Sequence, residues 1–397
     1  MAAAISRAFA YGALPASYKE SITLALRKGG KKDYSLPSSY RPIALENTLA
    51  KVVEKVLANR IAIAAEEHGL LPWNQMGARK DRSILSAISL LTTCVESAWK
   101  AHPGCVVSML SLDIAGAFDN VPHAKLLWIL EKKGFPTWLV NTIASFLHER
   151  RTRIAYAGYK SDWIHTNTGI PQGSPLSPIL FLIYISGLLE KLQTPDNDTL
   201  GFGFVDDINI IAWGVSAEDN CRRLNAAHSQ CEDWAEEHGA KFAPDKYQLI
   251  HFTRGRKQAT EAQASSIRFG DHIIQPESTA IRVLGVWLDP KLTWKEHIAQ
   301  VARKGLAASD AIARLATSTW GPSQRNTRLL YTAAVRPILL YGSQEWSMRI
   351  AQQTLPKSRI KPLERVQNIC LRRITGGYKR TPIAALEREA HVPPLDI

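Results

Sequence analysis

Apolar positions in this chain fall into short continuous runs and longer 3.6-residue patterns, and each kind predicts a different element. Leu49, Val52, Val53, Val56 and Leu57 share one helical face, with Asn47 as cap and Gly69 as terminator. Residues 105–112 are almost uniformly apolar and predict a buried strand with Asp113 at its end. A helix carrying Leu126, Leu127 and Leu130 is expected from Pro122 onward. The stretch from Gly169 to Pro175 is a turn-rich loop. Ser177-Pro178 then reads as cap and first turn of a very apolar helix running to Leu189. Leu200 to Val205 and Ile208 to Ala212 read as two strands meeting at a turn. Ser216-Ala-Glu-Asp219 resembles a capping box, opening a helix that Gly239 closes. Residues 254–266 are polar and read as a surface loop. Ile267 to Ile274 reads as a hairpin with a Gly-Asp turn, and Arg282 to Leu288 as one further strand. Beyond residue 295 the pattern is helical and suggests a separate subdomain. The class is mixed α+β. At 397 residues, two or three domains are expected.

Composition changes this picture in one respect. Lys and Arg outnumber Asp and Glu by 49 to 36, a net charge of +13. Such an excess suits a polyanion, because each basic contact to a phosphate releases condensed counterions. Nucleic acid is the leading expectation and an anionic membrane surface the second. Basic residues cluster over 19–32 and again at Arg359, Lys361, Arg365, Arg372, Arg373, Lys379 and Arg380. The five cysteines include no Cys-x-x-Cys pair, which argues against a disulfide framework or a zinc ribbon. Cys221, His228, Cys231 and His238 could pass for a metal cluster. Cys221, Leu224, Cys231 and Trp234 follow helical spacing, so buried cysteines on an amphipathic helix are the better reading. The longest uncharged apolar stretch, Pro175 to Leu189, is shorter than the roughly 20 residues a membrane span needs.

Asp206 and Asp207 stand side by side at the turn between two apolar runs. An ordinary solvated Asp-Asp turn is one reading. The other is a cation site, since adjacent like charges repel unless something offsets them. Asp113 adds a third carboxylate at a strand end. One Asp from one strand and two from a neighbouring hairpin would suit two divalent cations, which phosphoryl transfer between nucleotides requires.

With these residues in view the chain resembles reverse transcriptases, especially those of non-LTR (LINE-type) retrotransposons. The resemblance is carried in order by Ser39-Tyr-Arg-Pro-Ile-Ala-Leu45, Leu112-Asp-Ile-Ala-Gly-Ala-Phe-Asp119 and Gly169-Ile-Pro-Gln-Gly-Ser-Pro-Leu-Ser-Pro178. Phe204-Val-Asp-Asp207 and Val283-Leu-Gly-Val-Trp287 complete it. Each motif is weak alone, and five in order are specific. The resemblance implies a right-hand polymerase: fingers over 1–104, a split βαβ palm over 105–265 with an insertion near 125–170, a palm–thumb hairpin over 266–294, and a helical thumb over 295–397.

By the same resemblance Asp113, Asp206 and Asp207, with the backbone carbonyl of Ile114, hold two Mg²⁺ ions, for which Mn²⁺ can substitute. Phe118 is the steric gate against a ribose 2′-hydroxyl, and Asp119 braces the palm. Gln172 and Gly173 contact the incoming nucleotide, while Lys28 and Arg41 clamp its triphosphate. Lys246 protonates departing pyrophosphate. Leu284 and Gly285 form the primer grip. The implied partners are an RNA template, a DNA primer and dNTPs, with no membrane. The implied reaction is RNA-directed DNA synthesis. A catalytically inactive remnant of the fold and an RNA-dependent RNA polymerase stay open as alternatives. No endonuclease, RNase H domain or zinc knuckle is visible, so a fragment of a larger polyprotein or a decayed copy is also open. The N-terminal Arg7 and its neighbouring alanines are not read as a transit peptide, and an intracellular setting, nuclear or cytoplasmic, is expected.

Overall fold

A computed structural model describes residues 12–193, 198–315, 320–353 and 355–395, so the segment with Arg7 lies outside the described residues. The chain divides into two compact units. The first comprises Met1–Ser83, Ser108–Leu249 and Ser266–Gln275. The second comprises Ile84–Val107, Ile250–Ser265 and Pro276–Ile397.

The first unit opens with β1 (Glu20–Arg27) and β2 (Tyr40–Glu46), paired antiparallel from Ser21↔Glu46 to Arg27↔Tyr40. β4 (Arg151–Tyr156) joins β1 in parallel, and the short β5 (Tyr159–Lys160) and β6 (Ile164–His165) pair with β4. The helix Thr48–Glu67 follows β2, and the Asn47 side chain accepts the Leu49 N–H at 2.9 Å, as its cap position predicts. Its buried stripe is not the expected one. Val53, Leu57, Ile61 and Ala65 form an i, i+4 ladder inward, while Leu49 and Val52 are 46% and 41% exposed. The small Ala65 extends the true stripe where large residues alone had suggested a rotated face.

The helix Ser177–Lys191 is apolar all round because it is buried all round, from Ile179 through Ile185 and at Leu188 and Leu189. Its cap differs from expectation. Ser177 is already helical, Leu176 is the N-cap, and the Ser174 hydroxyl accepts the Leu176 N–H at 3.0 Å. The helix Ala217–His238 begins as expected, with Ser216 accepting the Asp219 N–H, and ends at Gly239 with φ +70°. Cys221, Leu224, Cys231 and Trp234 are all buried along it. A four-stranded sheet has the order β7–β8–β3–β9, where β3 is Val106–Leu112, β7 Thr199–Phe204, β8 Asp207–Gly214 and β9 Gln248–Phe252. The hairpin of β10 (Ile267–Phe269) and β11 (His272–Ile274) turns at Gly270 as read from sequence.

Two expectations for the second unit are corrected. Residues 254–266 contain a helix, Arg256–Gln263, which buries only Ala262 and therefore shows no apolar period. Arg282 to Leu288 is two short strands, β12 (Ile281–Val283) and β13 (Val286–Leu288). Leu284 and Gly285 form their turn, with φ of +49° and +86°. The Tyr341 hydroxyl donates to the Leu284 carbonyl at 2.8 Å and pins it. The region beyond 295 is helical as expected, led by Lys295–Ala313 and Lys361–Thr375. Among the described residues no helix is long and apolar enough to cross a membrane.

Candidate active site

The β7–β8 ladder runs to Phe204↔Asp207, so Val205 and Asp206 form a two-residue turn. Val205 adopts φ +63°. A β-branched residue there costs on the order of 1–3 kcal/mol and persists only where its surroundings impose it. A strut from residues 74–77 imposes it. Gln75 pairs with Gly203 as an isolated parallel bridge, and the Met76 N–H donates to the Gly203 carbonyl at 2.7 Å. The Asn74 amide donates to the carbonyls of Leu189 and Gly201 at 2.9 and 2.7 Å. The Gln75 side-chain oxygen accepts the Val205 N–H at 3.3 Å. Gly77 lies flat on the turn, where a Cβ would come within 2.5 Å of the Val205 nitrogen.

β3 is the neighbour of β8, which brings Asp113 to the acidic turn. The charge of Asp113 acts on both carboxyls of the turn. Loss of water around Asp207, then the charges of Asp206 and Asp113, push its carboxyl up to about 6. Asp206 is raised by the same loss of water and by Asp113, with Arg41 pulling it back. Lys246 ends a short 3₁₀ turn, Pro244–Lys246, and donates to Asp113 Oδ2 at 2.7 Å. Ile114 forms a bridge with Phe242, flanked by Ala115 N–H to Lys241 and Ala243 N–H to Asp113. In such a pair the residue's own carbonyl points away from its partner.

The donor set fits a hard divalent cation. Three carboxylates of like charge converge, and their mutual repulsion marks a place where positive charge is favourable. Among the described residues no three or more His, Cys, Asp or Glu are placed to hold a metal ion without further ligands. Magnesium suits that arrangement, since it takes a few carboxylates and completes its octahedron with water and substrate oxygens.

The loop that resembles the nucleotide contact is stitched to β2. The Ala44 N–H donates to the Gln172 carbonyl at 2.7 Å. Gly173, with φ +123°, lies so close that a Cβ would reach 2.5 Å from the Ala44 oxygen. The Gln172 side-chain amide donates to both Asp119 oxygens at 3.0 and 3.1 Å, so Asp119 positions Gln172. Loss of water raises the Asp119 carboxyl, opposed by that hydrogen bond and by the charge of Lys28. The Lys28 ammonium donates to the Ser38 carbonyl at 3.0 Å. Phe118 is half-buried and stacks on Phe181, ring centroids 4.9 Å apart. Asp113, Phe118, Gln172, Gly173, Asp206, Asp207, Lys246, Lys28 and Arg41 thus all belong to the first unit, and Leu284 and Gly285 to the second. Sequence reading missed Asn74, Gln75 and Gly77. Their one local signal is a polar pair, Asn74-Gln75, which the fold buries completely.

Comparison with known proteins identifies the family. Residues 27–288 match the family described as reverse transcriptase (RNA-dependent DNA polymerase). The chain is 27% identical over 97% of its length to the RNA-directed DNA polymerase from mobile element jockey of Drosophila melanogaster. It is 27% identical over 91% of its length to a probable RNA-directed DNA polymerase from transposon BS of the same organism. It spans 40% and 39% of those two relatives. Apo telomerase from Candida tropicalis shares the fold, with a TM-score of 0.50 at 11% identity, covering 94% of this chain and 59% of that one. The chain belongs to the reverse transcriptase (RNA-dependent DNA polymerase) family.

Proposed function

We propose that the chain is an RNA-directed DNA polymerase core of a non-LTR retrotransposon, extending a primer 3′-hydroxyl with dNTPs on an RNA template. The observation that carries this is the approach of Asp113 to Asp206 and Asp207 at the strained Val205–Asp206 turn, with Arg41 and Lys246 beside them. Asp113, Asp206, Asp207 and the Ile114 carbonyl would hold two divalent cations, Mg²⁺ or Mn²⁺. When bound, these ions supply positive charge at the attacking and leaving oxygens. The remaining residues bind and orient. Arg41 and Lys28 offer cationic hydrogen bonds to a triphosphate. Gln172 and Gly173 present amide and backbone to the nucleotide, at a distance only glycine permits. Phe118 fills the space a 2′-hydroxyl would need. Lys246, released from Asp113, carries the proton that pyrophosphate takes as it leaves. Leu284 and Gly285 present the β12–β13 turn to the primer. The setting is intracellular, and in its relatives such a core is part of a longer polyprotein.

The test is extension of a DNA primer on an RNA template. Wild-type chain should incorporate dNTPs with Mg²⁺ and stop with chelator. Asp206→Asn should reduce extension to background while primer–template affinity stays within a few-fold. Substantial extension by that variant would overturn the assignment.

A further inference from the structure

Beside the Gln172–Gly173 loop lies a buried charged cluster outside the nucleotide-facing residues. Glu54, on the helix Thr48–Glu67, is 1% exposed. Glu46, at the end of β2, and Arg150, just before β4, are 9% and 4% exposed. Arg150 donates to Glu46 Oε1, and also to the Phe146 carbonyl at 3.2 Å. The Ser174 hydroxyl donates to Glu54 Oε2 at 2.5 Å, and its oxygen accepts the Leu176 N–H. Those bonds satisfy two of the four carboxylate oxygens, Glu46 Oε1 and Glu54 Oε2. Glu46 Oε2 and Glu54 Oε1 are buried with no donor among the described side chains.

Two buried acceptors without a donor are costly, and so is an unbalanced charge. Arg150 contributes one positive charge against two carboxylates. A single proton between the two glutamates resolves both problems. It turns facing acceptors into an O–H···O bond and brings the cluster to neutrality. Lys51, in the first turn of the helix Thr48–Glu67, also draws on Glu46 by its charge. Burial, then the charge of Glu46, pushes the Glu54 carboxyl up to about 8, and burial raises Glu46 as well.

We propose that Glu54 is a positioning residue for the nucleotide-facing loop: as the neutral acid it bonds to Glu46 and, through Ser174, fixes Gln172 and Gly173 against β2. The substrate role rests on the polymerase reading, and the shared proton does not. The linkage is short. Ser174 adjoins Gly173, which already touches Ala44, two residues before Glu46 along β2. Loop, strand and helix are therefore held at one buried point.

Three measurements test this. Infrared spectra at pH 7 should show a carboxylic-acid C=O band in the wild type that disappears in Glu54→Gln. A raised acid binds its proton more tightly folded than unfolded, so wild-type stability should fall as pH rises from the ordinary carboxylate range to about 8. Glu54→Gln, which mimics the neutral acid, should lose that part of the slope. In primer extension, Ser174→Ala and Glu54→Ala should each raise the dNTP KM about 3- to 10-fold, the loss of one buried hydrogen bond, with kcat changing less. Glu54→Gln should stay near wild type. Ser174→Ala serves if Glu54→Ala does not fold. Glu54→Gln as impaired as Glu54→Ala, or an unchanged carboxylic-acid band, would overturn the proposal. A wild-type chain that extends no primer overturns the polymerase reading instead, and the spectral and stability results still decide the shared proton.

Discussion

At the scale of single residues, the site is built against the chain's own stability. Asp207 is held near Asp206 and Asp113, and its carboxyl is raised to about 6. Between the ordinary carboxylate value near 4 and about 6 the folded chain binds the extra proton, so metal-free stability falls over that window and stays lowered above it. Asp207 is exposed at the turn despite the water its carboxyl loses, and the remaining solvent screens the effect to about 1 kcal/mol. Asp207→Asn should therefore raise the melting temperature of the metal-free chain at pH 7 while abolishing extension. An unchanged or lower melting temperature would show that the acidic turn is not strained by like charge. Phe118 allows a second test. Its ring stacks on the fully buried Phe181, which favours its present orientation. Phe118→Val should cut discrimination between dNTP and NTP about 10- to 100-fold, the range a steric pocket difference supplies. The ratio of kcat/KM for the two substrates measures it, and a ratio unchanged by the variant would leave Phe118 a core residue. These residues were legible in sequence because each sits in a short ordered string. Glu54 was not, because a lone Glu in a helix looks solvated until its neighbours are known.

At the scale of elements, periodicity served where burial is one-sided and failed elsewhere. The acidic hairpin was readable because both strands are apolar and short. The helix Arg256–Gln263 was not, since it buries one alanine and leaves its polar residues to solvent. The Ser177 cap misled because a Ser-Pro pair is a local signal, while the hydroxyl that accepts the Leu176 N–H belongs to Ser174, three residues earlier in the loop. The strut behind the turn was invisible for a different reason. Gln75 and Val205 are 130 positions apart, and no spacing rule reaches across that distance. It also carries a sharp test. A methyl group at Gly77 would press on the backbone nitrogen of Val205 and the carbonyl carbon of Phe204, at 2.5 and 2.8 Å. Neither can yield without moving the turn. Gly77→Ala should cost about 1–3 kcal/mol of stability, as overpacking does, and lower kcat more than it raises the dNTP KM. Wild-type kcat with reduced stability would show that the strut supports the fold and not the placement of Asp206.

At the scale of the whole molecule, the grouping of Ile84–Val107 with the C-terminal half was not readable from linear order. Within that unit the Glu345 carboxylate accepts the hydroxyls of Ser89 and Thr92, and Arg349 pairs with Glu96. Those contacts join helices more than 250 positions apart. The net charge of +13 was readable, but not how it is spent. Arg373 pairs with Asp310 at 2.7 Å and donates to the Ser309 hydroxyl. Arg372 donates to the carbonyls of Asn368 and Lys379. Both are hydrogen-bonded within their unit, Arg373 while exposed and Arg372 half-buried, whereas Lys361, Arg365, Lys379 and Arg380 are exposed. The basic cluster thus divides into structural and solvent-facing charge, and the two halves should respond differently to substitution. If the exposed half meets phosphate, Arg365→Gln with Lys361→Gln should flatten the dependence of primer–template affinity on salt, lowering the log–log slope by about 1–2. Arg373→Gln should leave that slope nearly unchanged and lower thermal stability. Fluorescence anisotropy across a salt series separates the two. Equal slopes for both variants and the wild type would remove this cluster from the nucleic-acid contact and leave the charge excess to act elsewhere on the surface.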